Sequence, residues 1–202
     1  MEAGILHRTI HLVDLFWTRD KDPRVPLGHA SLLSQLKKVD GVEVHSHIEA
    51  VNQPSRAIEE LANTILGSAR GKPSGEVDVA IGAYVWAEEQ TKLLLKLLRQ
   101  GGFSGRIVMG GPQISYCGGG LEALYPEADA FIRGYGEEAL AAFVLDARKP
   151  NIQGVHWAGS TDLVQQANID FDALPSPWLE GVISLKGRRF IRWETQRGCT
   201  FR

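Results

Sequence analysis

Short apolar runs alternate with amphipathic stretches from near the start of the chain. Thr9–Phe16 (TIHLVDLF) is a compact apolar run with β-branched members, which predicts a strand. Gly28–Val39 sets Leu32, Leu33 and Leu36 at helical spacing and stops at Asp40-Gly41, where glycine takes the left-handed cap. Val42–Ile48 alternates and predicts a second strand. Ser55 is an N-cap for a helix reaching Ala69, with Ile58, Leu61, Ala62, Ile65 and Leu66 on one face. Val77–Tyr84 is almost continuously apolar after Asp78, the pattern of a strand covered on both faces. Glu88–Gln100 is a helix with Leu93, Leu94, Leu97 and Leu98 inside, stopped by Gly101-Gly102. A strand at Arg106–Met109, a helical turn at Leu121–Tyr125, a strand at Ala130–Arg133 and a helix at Glu137–Ala147 complete the pattern.

Strands that alternate with helices predict an α/β fold, a doubly wound (Rossmann-like) parallel sheet of five strands flanked by helices. This domain spans 5–149. The character changes after Lys149-Pro150. Residues 151–159 read as a short hairpin arm, 169–177 as a proline-broken connector, and 183–193 as a second hairpin-like stretch turning at Lys186-Gly187-Arg188. The segment 150–202 is therefore a linker arm, too small for a second core.

Composition narrows the function classes. A length of 202 residues buries a core without disulfides or a structural metal. A hydrophobic share of 44% with 23% charged residues excludes a disordered chain, a collagen and a coiled coil. The net charge of −2 offers no basic excess for a phosphate backbone, so nucleic acid is not an expected partner. No apolar run reaches about 18 residues, and Met1–Ile5 lacks the basic start of a signal peptide. Cys117 and Cys199 are too few for a disulfide framework. The expectation is a soluble cytoplasmic protein with no membrane partner.

In an open parallel sheet, ligands sit outside the carboxyl ends of the strands. The loops there are Trp17–Gly28, Gly82-Ala83-Tyr84-Val85-Trp86, Gly110-Gly111-Pro112-Gln113 and Gly134-Tyr135-Gly136-Glu137. In three of these four loops glycine stands where a ligand would need backbone access, and it gives a flat ligand access to the main chain. A turn requirement accounts equally well for Gly110-Gly111 alone. The first loop has no G-x-G-x-x-G, and no G-x-x-x-x-G-K-[ST] occurs, which argues against dinucleotide and P-loop sites. Asp14 and Asp78 do not make a phospho-receiver, because Asp78 starts its strand. His45 and His47 share a strand face, for which partial exposure is a simpler reason than a metal; no H-E-x-x-H or C-x-x-C is present. No serine sits in a G-x-S-x-G elbow, and no catalytic residue is assigned. These residues describe a ligand edge without naming the ligand.

The order of motifs resembles the cobalamin-binding domain attached to radical S-adenosylmethionine enzymes. Gly110-Gly111-Pro112-Gln113 after a strand, Tyr125-Pro126-Glu127-Ala128-Asp129, and Gly134-Tyr135-Gly136-Glu137-Glu138 carry the likeness. Ala83-Tyr84-Val85-Trp86, Pro26-Leu27-Gly28 and Pro175-Ser176-Pro177-Trp178 fit the same pattern. The tail Glu194–Arg202 (ETQRGCTFR) resembles the run into the cluster motif C-x3-C-x2-C. The likeness covers about residues 10–202. It implies cobalamin as cofactor, with Gly82, Gly110 and Gly111 admitting the nucleotide tail and Tyr84 and Trp86 edging the corrin. Methyl transfer is the reaction it implies.

Two departures refine that implication. The D-x-H-x-x-G motif is absent, since the first loop reads Asp20–Gly28 (DKDPRVPLG). Cobalamin would then bind base-off with no histidine ligand, its lower face meeting the loop that holds Arg19, Arg24 and Val25. Cys199 matches the first cluster cysteine, and the next would fall one residue beyond Arg202. One thiolate cannot hold a 4Fe–4S cluster. The resemblance thus implies an N-terminal part, not catalytic alone, whose cluster and S-adenosylmethionine belong to a longer chain and whose partner is the missing catalytic barrel. The arm 150–202 is expected to pack on that barrel, and to be partly disordered without it. A non-catalytic corrinoid-binding or remnant domain, and a doubly wound domain for a nucleotide or another small ligand, remain as alternatives.

Overall fold

Six strands form one sheet in the order β2-β1-β3-β4-β5-β6, flanked on both faces by helices. The structure is a computed structural model and describes residues 8–19, 26–53, 56–73, 75–146, 148–187, 191 and 194. The strands are β1 (Arg8–Phe16), β2 (Val42–Ala50), β3 (Val77–Gly82), β4 (Arg106–Gly110), β5 (Ala130–Ile132) and β6 (Val155–Trp157). The first five pair in parallel, and β6 is antiparallel to β5. The helices are α1 (Leu27–Leu36), α2 (Ile58–Ala69), α3 (Glu88–Gln100), α4 (Pro112–Ser115), α5 (Leu121–Leu124) and α6 (Gly136–Leu145). The α/β doubly wound architecture read from the sequence is the one observed.

Side chains alternate across a strand, so each central strand feeds two cores. Val13 and Leu15 of β1, with Val79 and Ile81 of β3, meet α2 and α3 through Leu61, Ile65, Leu94 and Leu98. Ile10 and Leu12 of β1, with Ala80 and Val108, meet α1 and α6 through Leu33, Leu36, Leu140 and Phe143. This two-sided burial explains why β1 and β3 read as apolar runs. At the sheet edge, β2 is half-exposed and alternates.

The amino ends of the central strands are fixed by charge. Asp78 has 0% exposure and accepts from Arg8 Nη2 at 2.7 Å and from Arg106 Nε and Nη2 at 2.8 and 2.7 Å. Arg106 also donates to the carbonyls of Phe143 and Asp146 at 3.0 and 2.6 Å, closing the carboxyl end of α6. Its guanidinium lies over the Phe143 ring, 4.1 Å from the centroid. Asp78 therefore stands at the edge opposite the candidate ligand loops, as its place at the start of the strand implies.

The segment expected to be a free arm contributes to the sheet. Residues 155–157 form β6, and Trp157 stacks on Phe143 with centroids 5.1 Å apart. Arg133, fully buried, donates to the carbonyls of Ile114 and Cys117 and to Asp162 Oδ2 at 2.6 Å. Ala167 accepts from Tyr135 N at 3.1 Å and donates to Arg133 O at 2.8 Å. The expectation of an arm packed elsewhere is thus corrected for 150–167. Its signal was weak in sequence because a three-residue strand is too short to show alternation. A 3-10 turn at Phe171–Ala173 occupies the proline-broken connector. Residues 183–187 form no strand, and most of the second expected hairpin lies outside the described residues. Helix α2 begins at Ile58, and Ser55, its expected cap, also lies outside them. No helix among the described residues is long and apolar enough to cross a membrane.

Replacing Asp78 by Asn leaves a buried guanidinium at Arg8 and a partly buried one at Arg106 without their counter-charge. Urea unfolding of Asp78→Asn is expected to show a loss of roughly 3–5 kcal/mol, the cost of breaking a buried ion pair by removing one partner. A loss within experimental error would mean that the strands are held without this cluster.

Candidate functional site

A cavity of about 320 Å³ opens at the carboxyl ends of β1, β3, β4 and β5. Its placement follows from the topology. Each parallel strand runs to this edge and hands the chain to a helix that starts there, so the loops diverge and leave a crevice. The walls are apolar, including Leu12, Leu32, Ala80, Val108, Ile132 and Leu140. The volume and the apolar lining with a few polar groups match a small-molecule site.

Most of the residues singled out in the sequence come together here. Leu27, Gly28, Gly82, Tyr84, Gly110, Gly111, Pro112, Gly134, Tyr135, Gly136 and Glu137 all line the cavity. Four others stand apart from its wall. Ala83 is buried and exchanges backbone hydrogen bonds with Gly110 and Gln113. The Gln113 side chain donates to Glu88 Oε2, which also accepts from Tyr125 Oη at 2.8 Å. Val85 is 76% exposed. Trp86 donates from Nε1 to Leu15 O at 3.1 Å and stacks on Tyr84 with centroids 4.7 Å apart. Arg24 and Cys199 lie outside the described residues, as does Val25.

The glycines divide by cause. Gly111 has φ of 96°, and an added Cβ would come within 3.0 Å of Ala83 O. Gly134 has φ of 82°, and its Cβ would lie 2.6 Å from Ala167 O. Chain packing alone demands both, which answers the question the sequence left open for Gly111. Gly110 differs, because a Cβ there meets nothing nearer than Ile132 O at 3.7 Å. Its bare surface adds room to the cavity without any packing demand.

His29 and Asp14, which the sequence did not assign to the site, join Glu137, which it did. His29, at the start of α1, lines the cavity and bonds through Nε2 to Ser46 Oγ at 2.7 Å. Burial, aided by the neighbouring His47 imidazole, lowers its pKa to about 4. Glu137 is buried and accepts from Ser31 Oγ at 2.8 Å. Asp14 is 4% exposed, and burial raises its carboxyl to about 6. The same burial, with the Asp14 charge beside it, holds the Tyr84 hydroxyl well above the usual phenol range. An acidic residue two positions before the end of an apolar strand was the available signal for Asp14.

On the other sheet face a histidine relay has fixed direction. The guanidinium of Arg56 can only donate, so His47 Nδ1 accepts from Arg56 Nη2 at 3.0 Å. His47 Nε2 then donates to His11 Nδ1 at 2.9 Å, and His11 Nε2 donates to Ser68 Oγ at 2.9 Å. Both rings are neutral: burial and neighbouring cations lower His11 to about 3 and His47 to about 4. His45 stacks on His11 at 4.8 Å. No group of three His, Cys, Asp or Glu among the described residues is placed to hold a metal ion.

No protein-family model matches the chain. No curated protein matches it either. Among solved structures it is similar to one from Bacillus subtilis described as a candidate phosphosugar isomerase, at 12% identity and a TM-score of 0.36. That match covers 72% of this chain and 41% of the other, so the chain spans less than half the length of that structure.

The lowered histidines set a pH dependence. His11, His29 and His47 titrate near 6.5 when unfolded and near 3 to 4 when folded, so the unfolded chain binds the extra protons as pH falls below 6.5. Asp14 acts oppositely between about 6 and 3.8, and three groups outweigh one. Urea midpoints are expected to fall steadily from pH 7 to pH 4.5, and to fall less in His11→Gln. A flat profile would contradict the neutral relay.

Proposed function

We propose that the chain binds cobalamin as the N-terminal part of a radical S-adenosylmethionine enzyme of the methyltransferase kind. The observation that carries this reading is the apolar cavity at the carboxyl edge, bordered by the glycine loops on which the resemblance rests. The group fits the residues. An apolar slot of about 320 Å³ takes the flat nucleotide base, and Gly110 leaves its wall bare. Tyr84 stacked on Trp86 offers an aromatic edge to the corrin. His29 is already bonded to Ser46, in keeping with a base-off cofactor that takes no histidine ligand.

When bound, cobalamin supplies the methyl-carrying chemistry. The chain's own residues bind and orient. The cavity walls would exclude water from an inserted base, and Tyr84 and Trp86 would meet the ring system at the rim. Cys199 would give one thiolate to a 4Fe–4S cluster whose remaining ligands, with S-adenosylmethionine, belong to a catalytic barrel. A doubly wound domain for another small ligand is the second reading, favoured by the modest cavity volume.

The test is a titration of the purified chain with hydroxocobalamin, followed by gel filtration and a visible spectrum. Retained cobalamin with base-off absorption is the expected result. Gly110→Ala adds a Cβ in ordinary contact with Ile132 O, and should weaken retention about tenfold, the overpacking cost expressed as affinity. A colourless protein fraction would overturn the reading.

A further inference from the structure

The cavity pairs apolar walls with an unusual set of charges. Its described polar side chains are Asp14, His29, Tyr84, Tyr135, Glu137 and Glu194, and no lysine or arginine is among its described lining residues. His29 is bonded to Ser46, and Glu137 accepts from Ser31. Asp14 is different. It is 4% exposed, it lines the cavity, and its Oδ1 has no hydrogen-bond partner. The large majority of buried side-chain polar atoms in folded proteins are paired, so such an atom calls for an explanation. It stands on the same face of β1 as Ile10 and Leu12, the face that meets α1 and α6.

We propose that Asp14 is the recognition group of this cavity for an uncharged ligand portion that carries N–H or O–H donors, such as a primary amide or a hydroxyl. This deepens the function proposed above and rests on its placing of the ligand in this cavity, though not on the ligand being a corrinoid. A carboxylate accepts from such donors and has nothing else to accept from here. A terminal phosphate is disfavoured by the same set. The amino ends of α1 and α6 reach the cavity, and each helix brings a partial charge of about +0.5. Against it, the Asp14 carboxyl, with no lysine or arginine beside it among the described lining residues, repels a phosphate seated in the cavity. Asp14 also keeps part of its proton near neutral pH, since burial raises it to about 6.

The experiment compares the wild type with Asp14→Asn and Asp14→Leu by two readouts. The first is unliganded stability in urea. Above about pH 6 the wild type holds an ionised, unpaired carboxyl that the unfolded chain prefers, so Asp14→Asn should be the more stable at pH 8 and the difference should shrink by pH 5. Groups facing Asp14 from its neighbours do not mimic this: His29 and Tyr84 stay neutral over that range, and Glu137 and Glu194 are common to both proteins. A wild type as stable as Asp14→Asn at pH 8 overturns the proposal, because the carboxyl would then be satisfied within the fold.

The second readout is equilibrium dialysis with hydroxocobalamin, adenosine and adenosine monophosphate, each alone. At least one of the first two is expected to bind the wild type, with affinity falling about tenfold in Asp14→Leu and less in Asp14→Asn, which keeps an acceptor oxygen. Adenosine monophosphate should bind no tighter than adenosine. Equal affinity in Asp14→Leu, tighter binding of the monophosphate, or no binding of either donor probe overturns the proposal. Adenosine bound without hydroxocobalamin removes the cobalamin reading and leaves Asp14 in place. Hydroxocobalamin bound equally by Asp14→Leu does the reverse.

Discussion

A carboxylate held away from all solvent between two guanidinium groups governs this molecule. Asp78 cannot leave Arg8 or Arg106 without stranding charge in the interior, and the three residues belong to β3, β1 and β4. The amino ends of the central strands are therefore pinned in one register, with Ile10 opposite Asp78 and Asp78 opposite Arg106. Parallel pairing then carries every strand to the far edge together. There the chain must turn into helices, and divergence of those turns makes the cavity. Charge closes one edge so that the other is free to open.

Much of this arrangement was legible in the residues. Helix α3 ends where Gly101-Gly102 places it, but its inner face is rotated from the one expected, with Leu95 buried and Leu93 exposed. The five parallel strands were readable because two-sided burial forces apolar runs. What was not legible depends on partners distant in sequence. Strand β6 exists because Ala130–Ile132 leaves an edge for three residues to pair with. Helix α4 follows from the φ of Gly111, which no pattern of hydrophobicity encodes. Gly134 looked like part of a ligand loop, and its backbone is shaped by Ala167, 33 positions later.

The cavity illustrates two ways in which a polypeptide tolerates awkward groups. Arg133, behind the cavity wall, is fully buried with three carbonyl and carboxylate partners on its terminal nitrogens, although its Nε has none. Asp14 is buried nearly as deeply and lacks that support for Oδ1. The contrast separates a group used for architecture from one left poised.

The bridge between Gly134 and Ala167 has a mechanical consequence. Ala167 is hydrogen-bonded to Arg133 and Tyr135 on either side of Gly134, and its backbone sits where a side chain on that glycine would go. The two backbones are thus coupled as a stiff hinge plate. Force applied along the chain after Ala167 reaches the cavity rim through hydrogen bonds rather than through slack loop. A tug from that direction and a ligand seated at Gly134 would press on the same short lever.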